Sequence, residues 1–480
     1  MQITECKDAQ RVFDFFEEIS KIPRASQNSG KIADYLEKFA KAHGFFCVRD
    51  KANNVIVRKP ASKGYENAPT VIFQAHTDIV ADKISGSDFN FDTDGIEVFQ
   101  NGDFLCAKGT TLGADDGIGV AYALAILDLT EIMHPEIEAV FTSDEEIGLI
   151  GASAIDTSVL RGKILINADS DEEGTFTVGC AGGERLDITL PYEKEDCVDT
   201  AIKVRLYGLV GGHSGVEIDK GRENAIKLLA QVLFECGNVK ICEISGGSAD
   251  NAIAHFAECT VFTEDKERLI SALEKTKELY QKPEPNISFS IVEESCNAAK
   301  AFSWKNSAKI LSLIREMPTG VYKMSKEIPD LVETSSNLGI IALSEGRVKI
   351  TVSLRSSKDA KKAELCRQIT RLADTYGATV TVRGEYPAWE YKEASPLREL
   401  AKRTYVDKYG KEPNIIIIHA GLECGIFANK IKGLDCISLG PDNKDIHTTE
   451  ERLSVSSTVR VWEYLKELLK NMNAPVADWR

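Results

Sequence analysis

The chain has 480 residues, and a length well beyond about 250–300 residues predicts that it folds as more than one domain. It carries 58 Lys and Arg residues against 74 Asp and Glu residues, so its formal net charge at pH 7 is −16. This excess of negative charge argues against nucleic acids and anionic membrane surfaces as partners, because both repel an acidic protein surface.

The N-terminal pattern and the cysteines indicate a cytoplasmic protein. The first segment, MQITECKDAQRVFDFFEEIS, has the charged amphipathic pattern of a helix and lacks the apolar centre of a signal peptide. No apolar run approaches the roughly 20 residues that a transmembrane helix needs. The 12 cysteines include no C-x-x-C pair, so we expect most of them to be reduced residues of the core.

The first part of the chain alternates helix and strand patterns. SGKIADYLEKFAKAHG predicts a helix that ends at Gly44, and NNVIVRK and TVIFQAHTDIV predict strands. A nearly all-apolar helix starts near Asp116, and the next two strand patterns, HPEIEAVFTSDEEIG and RGKILINADSDEEG, run into acidic turns. This alternation predicts the α/β class, with a mostly parallel sheet flanked by helices.

The pattern changes at about residue 187. Strand patterns such as AIKVRLYGLVGGHSG and GRVKITVSLRSS now dominate, with helix patterns such as NAIKLLAQVLFECG between them, which indicates an α/β unit with an antiparallel sheet. The tail returns to the first pattern. We therefore predict one domain made of residues 1–186 and 386–480, with a second domain inserted at residues 187–385.

Acidic residues or histidine follow several of the predicted strands. These groups are His76-Thr77-Asp78, Asp115-Asp116, Asp144-Glu145-Glu146 and Asp169-Ser170-Asp171. In open α/β sheets ligands bind at the carboxyl ends of the strands. Carboxylates gathered there repel one another unless a cation neutralises them, and burial increases that cost. The pattern predicts one or two divalent metal ions, and a His and carboxylate set without thiolates favours Zn, Mn or Co.

Each of these motifs also has a structural explanation when it is taken alone. The H-x-D pattern of His76 and Asp78 is common at surfaces, Asp115 or Asp116 can cap a helix, and Glu-Glu pairs are usually solvated. Their recurrence at successive strand ends favours the metal site. In a two-metal hydrolytic centre the ions lie about 3.5–4 Å apart and acidify a water molecule.

Eight segments resemble motifs of the co-catalytic zinc peptidase superfamily, which includes aminoacylases, glutamate-releasing carboxypeptidases and carnosinases. In chain order they are FFEEISKIPRAS, QAHTDIV, GTTLGADDGIGVA, TSDEEIGLIGA, LINADSDEEGTFTVGCAGG, GLVGGHSG, IIHAGLECGIF and IHTTEE. Within the superfamily the similarity is greatest to the aminoacyl-histidine (Xaa-His) dipeptidases, and it covers essentially the whole chain. The resemblance implies that the inserted domain is a lid on a catalytic domain.

The resemblance also implies a dinuclear metal centre, with zinc expected and manganese or cobalt as alternatives. It implies five ligands: His76 and Asp169 on one ion, Glu146 and His447 on the other, and Asp115 bridging both.

Two further catalytic roles follow from the same resemblance. Asp78 would orient His76, as carboxylates commonly do for metal-bound imidazoles, and Glu145 would be the general base. Family members often carry a cis peptide bond after the bridging aspartate, which here is the bond between Asp115 and Asp116.

Four residues of the remaining motifs match substrate-binding positions of the superfamily. They are His213, Asn251, Arg355 and His419. An arginine at this place suits a substrate carboxylate, because the guanidinium group binds it bidentately. The alternatives stay open: His213 as a surface-loop histidine, Asn251 and Arg355 as ordinary surface residues, and His419 as a buried structural histidine. We expect only structural roles for four others, namely His43, His134, His255 and Cys424.

Two motifs differ from the superfamily pattern. NAIAH stands where N-A-I-P-R is usual, so Ala254 and His255 replace Pro and Arg, and HTTEE stands where H-S-P-D-E is usual. The expected metal ligands are present in spite of both differences. The differences bear on substrate preference, because a basic lid residue is lost.

The motifs together predict a metal-dependent dipeptidase of Xaa-His or broad specificity. A hydroxide bridging two zinc ions would attack the peptide carbonyl, His213 or His419 would share the charge on the oxyanion, and the lid would close on the substrate. One alternative is an aminoacylase or carboxypeptidase that acts on N-acyl amino acids, and another is a non-catalytic homologue. The resemblance further implies a homodimer formed through the lid.

Overall fold

The computed structural model describes residue 3 and residues 7–197, 200–295 and 299–473. The chain divides into two compact units. Unit 1 comprises Met1–Cys180, Trp389–Ile417 and Leu422–Arg480, and unit 2 comprises Ala181–Ala388 and Ile418–Gly421. The division into domains at 1–186, 187–385 and 386–480, with the middle one acting as a lid, stays a prediction.

The helices of the described residues alternate with strands along most of the chain. In order they are α1 (Lys7–Ser20), α2 (Gly30–Ala42), α3 (Ala114–Asp128), α4 (Ile150–Ala154), α5 (Ala225–Cys236), α6 (Lys266–Tyr280), α7 (Trp304–Glu316), α8 (Asp359–Thr375), α9 (Pro396–Tyr409), α10 (Glu423–Lys430) and α11 (Val455–Asn471). Serine or asparagine side chains cap several of them, as Asn224 does for α5 and Ser395 for α9.

The strands of the described residues are, in chain order, β1 (Phe46–Arg49), β2 (Val55–Lys59), β3 (Val71–His76), β4 (Val98–Asn101), β5 (Phe104–Ala107), β6 (Ile137–Thr142), β7 (Ile164–Asn167), β8 (Thr175–Cys180), β9 (Gly182–Pro191), β10 (Lys194–Cys197), β11 (Thr200–Tyr207), β12 (Gly212–His213), β13 (Val239–Gly246), β14 (Ala252–Ile253), β15 (Ala257–Thr263), β16 (Ser288–Ser295), β17 (Ala299–Phe302), β18 (Gly320–Met324), β19 (Val332–Ser344), β20 (Arg347–Ser356), β21 (Thr379–Tyr386), β22 (Asn414–Ile418), β23 (Asp435–Ser438), β24 (Asn443–Lys444) and β25 (Arg452–Ser454).

Unit 1 is built on a sheet in the order β1-β2-β6-β3-β7-β23-β8-β22. The four strands β6, β3, β7 and β23 run parallel to one another, whereas β1 with β2, β2 with β6, and β8 with β23 pair antiparallel. Every residue of β3 and β6 is buried, as expected for strands covered on both faces of a parallel sheet. The carboxyl ends of the parallel strands therefore meet at one edge.

Helix α3 belongs to the core of unit 1. It packs against α1 and β3, and every residue from Gly117 to Leu127 is buried, so this part of the helix has no face suited to solvent. A small sheet in the order β24-β25-β5-β4 lies in the same unit. The sequence patterns did not predict this sheet, because its strands have only two to four residues.

Unit 2 contains a second sheet in the order β16-β11-β15-β13-β19-β20-β9-β21, with β18 paired to β19. Its strand pairs are antiparallel. Helices α5 and α7 pack on β13, and α8 packs on β9, β20 and β21. The sequence patterns missed α7 and several strands of this sheet, among them β13, β16 and β19. The predicted fold class, a mostly parallel α/β sheet plus an antiparallel α/β unit, is confirmed.

Among the described residues, no helix combines the length and the hydropathy that crossing a bilayer requires.

Candidate metal centre and active site

Three neighbouring parallel strands deliver acidic and imidazole groups to one edge of the sheet of unit 1. His76 is the last residue of β3, Glu145 and Glu146 follow the end of β6, and Asp169 follows the end of β7. Strand β3 pairs in parallel with both β6 and β7. Because these strands end side by side, residues far apart in sequence lie close together in space.

Asp115 is at the centre of this group. Its Oδ1 lies 3.1 Å from His76 Nε2, and its Oδ2 lies 2.9 Å from His447 Nε2. His447 Nε2 is also 3.1 Å from Glu146 Oε2, and His76 Nε2 is 3.9 Å from Asp169 Oδ1. The structure thus brings together all five residues that the sequence predicts as metal ligands, with one oxygen of Asp115 directed to each histidine.

The donor set of this group suits a divalent cation. His76, Asp115 and Glu146 each offer a ligand atom, and these atoms lie within 4.8 Å of one another. Oε1 of Glu146 is buried and has no hydrogen-bond partner in the part of the chain that the structure describes. Imidazole nitrogens and carboxylate oxygens without thiolates are typical ligands of catalytic zinc and manganese, so the residues fit such an ion.

The pKa values of the group show how strongly its charges depend on one another. Burial raises the pKa of Asp169 well above its usual range, and burial also raises that of Glu146. Burial acts to lower the pKa of His76. Its hydrogen bonds with Asp115 and Asp78 raise the pKa by more than burial lowers it, so the net shift is well upward. A cation that replaced the imidazole protons would provide the same charge balance.

The contact between His447 and Asp115 joins two groups whose pKa values shift in opposite directions. Hydrogen bonds with Asp115 and Glu146 raise the pKa of His447 to about 10. Burial acts to raise the pKa of Asp115, yet its contacts with His447 and His76 hold it far below the usual range. Asp115 therefore stays ionised and accepts from two imidazoles at once.

Asp78 has a wider role than the sequence predicts. Its Oδ1 is 3.5 Å from His76 Nδ1, while its backbone oxygen is closer to that nitrogen, at 3.2 Å. Its carboxylate also accepts from the N–H groups of Glu145 (2.9 Å) and Glu146 (3.3 Å), and from the hydroxyl of Ser26 (2.7 Å). Asp78 thus holds the turn that carries both glutamates as well as facing His76.

Glu145, the predicted base, has a strongly perturbed carboxyl group. Burial raises its pKa well above the usual range, and the nearby carboxylates of Glu423 and Glu146 raise it further against the opposing effect of His76. A carboxyl group with a raised pKa holds a proton more readily near neutral pH, which suits proton transfer.

Four buried residues of this region were not predicted as functional. They are Arg24, Asp116, Glu423 and Glu451. Glu423 accepts from Gln74 Nε2 and from the hydroxyl of Thr142, and burial raises its pKa to about 7. Asp116 accepts from the N–H groups of His76 and Gly119.

All four residues lie within the sequence motifs that were quoted above for the resemblance, so the motifs could have indicated them. Arg24 belongs to KIPRAS, Asp116 follows Asp115 directly, Glu423 belongs to GLECG, and Glu451 ends HTTEE. The peptide bond between Asp115 and Asp116 is cis, as the resemblance implied.

The first two predicted substrate residues lie together in unit 2. His213 of β12 pairs with Ala252 of β14, and Ser214 N–H donates to Asn251 O (2.8 Å). The N–H groups of Gly215 and Val216 each lie 3.3 Å from His213 Nδ1. Nδ1 therefore accepts, which leaves Nε2 as the protonated nitrogen of the neutral ring.

The other two predicted substrate residues also belong to unit 2. Arg355 Nη1 donates to the hydroxyl of Tyr386 (3.0 Å), and its Nε is buried without a partner among the described residues. His419 is buried, and its Nε2 lies 2.7 Å from Ser335 Oγ. Burial and the charge of Arg355 lower the pKa of His419 to about 3, so its ring is neutral.

The residues that were predicted to be structural have local partners. His43 lies 2.9 Å from both Phe39 O and Asp128 Oδ1, and His134 Nδ1 lies 2.6 Å from Pro135 O. The ring of His255 contacts Phe256, and Cys424 is buried in α10.

Comparison with known proteins identifies relatives along almost the whole chain. The family model of peptidase family M20/M25/M40 matches residues 72–471. Cytosol non-specific dipeptidase of Escherichia coli (strain K12) is 36% identical over 477 residues, which cover 97% of this chain and 98% of that protein.

Solved structures agree with this assignment. The crystal structure of aminoacylhistidine dipeptidase from Vibrio alginolyticus matches with a TM-score of 0.85 and 34% identity, covering 96% of both chains. Human carnosine dipeptidase 1 shares the fold, with a TM-score of 0.54 and 12% identity over 97% of both chains. The resemblance inferred from the motifs is confirmed: the chain belongs to peptidase family M20/M25/M40 and is a hydrolase.

Proposed function

We propose that this chain is a metal-dependent dipeptidase. The observation that carries the proposal is the position of Asp115, whose two oxygens contact one histidine each from segments at opposite ends of the chain. A carboxylate placed in this way suits a bridge between two cations. The relationship to a protein named cytosol non-specific dipeptidase, at 36% identity over 97% of this chain, supports a dipeptide as the substrate.

The proposed centre holds two divalent ions, zinc by preference and manganese or cobalt as alternatives. His76 and Asp169 would hold one ion, Glu146 and His447 the other, and Asp115 both. When bound, such ions polarise a carbonyl group and lower the pKa of a water molecule. Asp78 keeps His76 and the turn with both glutamates in place through the contacts described above.

Glu145 is the proposed proton carrier. Its carboxylate would take a proton from the attacking water and return it to the amine of the leaving amino acid. The raised pKa of Glu145 supports this role, because a base that is to hold a proton during the reaction needs a pKa nearer to neutral than that of a free glutamate.

Four residues of unit 2 are proposed to bind the substrate. Arg355, with its buried and unpartnered Nε among the described residues, would bind the free carboxylate of the dipeptide. His213, which keeps its proton on Nε2, would donate to the oxyanion. Asn251, which lies beside His213, and His419, which is neutral, would contact polar groups of the substrate.

We propose a broad specificity that includes Xaa-His dipeptides. Two similar proteins support both parts of this proposal: one is named a non-specific dipeptidase and the other an aminoacylhistidine dipeptidase.

The test is a panel of dipeptides assayed on protein that has been stripped of metal and then supplied with Zn, Mn or Co in turn. We expect hydrolysis only after metal is restored, with Xaa-His among several accepted dipeptides. N-acetylation of the same dipeptides should abolish hydrolysis. Turnover of the acetylated forms would favour an aminoacylase or carboxypeptidase instead, and a folded protein that binds no metal would indicate a non-catalytic homologue.

We also propose a cytoplasmic location and a homodimer formed through the proposed lid. The name of the Escherichia coli relative supports the location. Light scattering tests the dimer, because the chain has a mass of 52.8 kDa and a dimer would have twice that mass.

A further inference from the structure

Glu451 has an unusual set of hydrogen-bond donors. It is 3% exposed, and its Oε2 accepts from the N–H groups of Leu112 and Gly113, both at 2.8 Å. Its Oε1 accepts from the N–H groups of Ala114 (2.8 Å) and Asp115 (3.2 Å). One buried carboxylate thus accepts from four consecutive backbone amides, the last of which belongs to the proposed bridging ligand.

The backbone of residues 112–115 is shaped for this contact. Gly113 has a φ of 70°, in the left-handed region that favours glycine, and it immediately precedes α3. Successive backbone N–H groups that point to one place form a concavity that binds an anion. Here the anion is a side chain of the same protein.

Glu451 belongs to the segment that carries His447. Glu451 N–H donates to Thr448 O (3.2 Å), so Glu451 and His447 lie on one turn. Asn443 Nδ2 donates to Glu451 Oε1 (3.2 Å) from the preceding strand. Glu451 therefore connects the loop of Asp115 to the turn of His447, whose side chains meet at 2.9 Å.

Arg24 holds the opposite side of the same loop. Its Nη2 donates to Gly113 O (2.6 Å), and its Nη1 donates to Thr77 O (3.0 Å), between His76 and Asp78. Arg24 as a whole is 1% exposed. The loop of Asp115 is thus held by a carboxylate through its N–H groups and by an arginine through a carbonyl group.

We propose that Glu451 is a positioning residue of the metal centre: it sets the distance between Asp115 and His447 and thereby the affinity for the ion that they share. This inference rests on the proposed function, because it assumes that the two side chains are ligands. Glu451 would act through the backbone, since its carboxylate accepts from the N–H groups of residues 112–115.

The test compares Glu451→Gln with the control Glu450→Gln, which removes the neighbouring exposed carboxylate. A glutamine amide would turn an N–H group towards at least one of the four amide donors, so the loop would shift. We expect zinc affinity, measured by competition with a chromogenic chelator, to fall 10- to 100-fold for one of the two ions. The control should stay within about 3-fold of the wild type. Glu451→Asp, which keeps the charge on a shorter side chain, should fall between them.

Unfolding of the metal-free variants separates positioning from a merely structural role. Lower stability of Glu451→Gln with unchanged zinc affinity would overturn the proposal. If Glu451→Gln does not fold, the zinc affinity of Glu451→Asp is measured instead. A wild-type zinc affinity in Glu451→Asp would then overturn the proposal. If the wild-type protein itself binds none of zinc, manganese and cobalt, the proposed function and this inference both fail. If it binds two ions and hydrolyses dipeptides while Glu451→Gln binds zinc normally, only this inference fails.

Discussion

At the scale of single residues, several side chains of this site contact two or more neighbouring groups at once. Asp115 faces two histidines, and Asp78 faces His76 while it accepts from the amides of Glu145 and Glu146. Such shared contacts make each substitution affect more than one group, because removing a single carboxylate leaves several donors unpaired.

Glu145→Gln tests the proposed base separately from metal binding. The variant should keep both ions, since Glu145 is not a proposed ligand, and kcat should fall about 10²- to 10⁴-fold because the proton acceptor is lost. Glu146→Gln is the matched control, and it should lose metal because it removes a proposed ligand. Metal content is measured by elemental analysis and kcat with a dipeptide. A kcat of Glu145→Gln within 10-fold of the wild type would make the assignment wrong.

At the scale of elements, the ends of β3, β6 and β7 and the start of α3 form the site. The left-handed Gly113 immediately precedes helix α3, and Asp115 and Asp116 in its first turn have backbone angles that are not helical. Gly117 follows them, and a Cβ at this position would clash with the guanidinium group of Arg24. The close approach of Arg24 to this helix start therefore requires glycine.

The turn between α3 and β6 contains a histidine that makes stability depend on pH. His134 is 2% exposed, and its burial lowers its pKa to about 4 from an ordinary value of 6.5. Its backbone exchanges hydrogen bonds with Ser62. Between pH 6.5 and pH 4 the unfolded chain binds a proton at His134 that the folded chain does not, so stability is lost as the pH falls through this window.

His134→Gln should reduce this acid sensitivity. Between pH 7 and pH 5 the metal-free wild type should lose up to about 2 kcal/mol more stability than the variant does, because the glutamine takes up no proton. Urea unfolding at the two pH values measures the difference within each protein. An equal loss in both proteins would show that His134 does not contribute.

At the scale of the whole molecule, the proposed ligands all belong to unit 1 although His76 and His447 are far apart in the sequence. Unit 2, which contains β19 and β20, contributes none of them. A ligand that binds only the folded state stabilises it, by about 2.7 kcal/mol at a concentration 100 times Kd. Metal binding should therefore stabilise unit 1 directly.

Hydrogen exchange with and without zinc tests this expectation. Peptides from α3 and from residues 440–455 should gain protection when zinc is added to metal-free protein, whereas peptides from β19 and β20 should not, because zinc has no proposed ligand there. An equal gain in both units, or no gain in α3, would contradict the placement of the centre.

Much of the fold and of the candidate site could be predicted from local patterns. The parallel and antiparallel parts were predicted because runs such as VIFQAH and VKITVSL have the apolar period of buried strands. The five proposed ligands were found because each belongs to a motif of adjacent residues. Strands β24 and β25 escaped prediction, since two or three residues carry no measurable period.

The sequence by itself determined the α/β class, the membership of a peptidase family and the residue types available for metal binding, because these depend on patterns within short segments. Only the tertiary structure decided that Glu451 accepts from four amides more than 330 positions away, that Arg24 holds the opposite side of that loop, and that Asp78 supports both glutamates. The physical reason is that a hydrogen bond depends on the distance and direction between two groups, and for distant segments both are set by the packing of the whole unit.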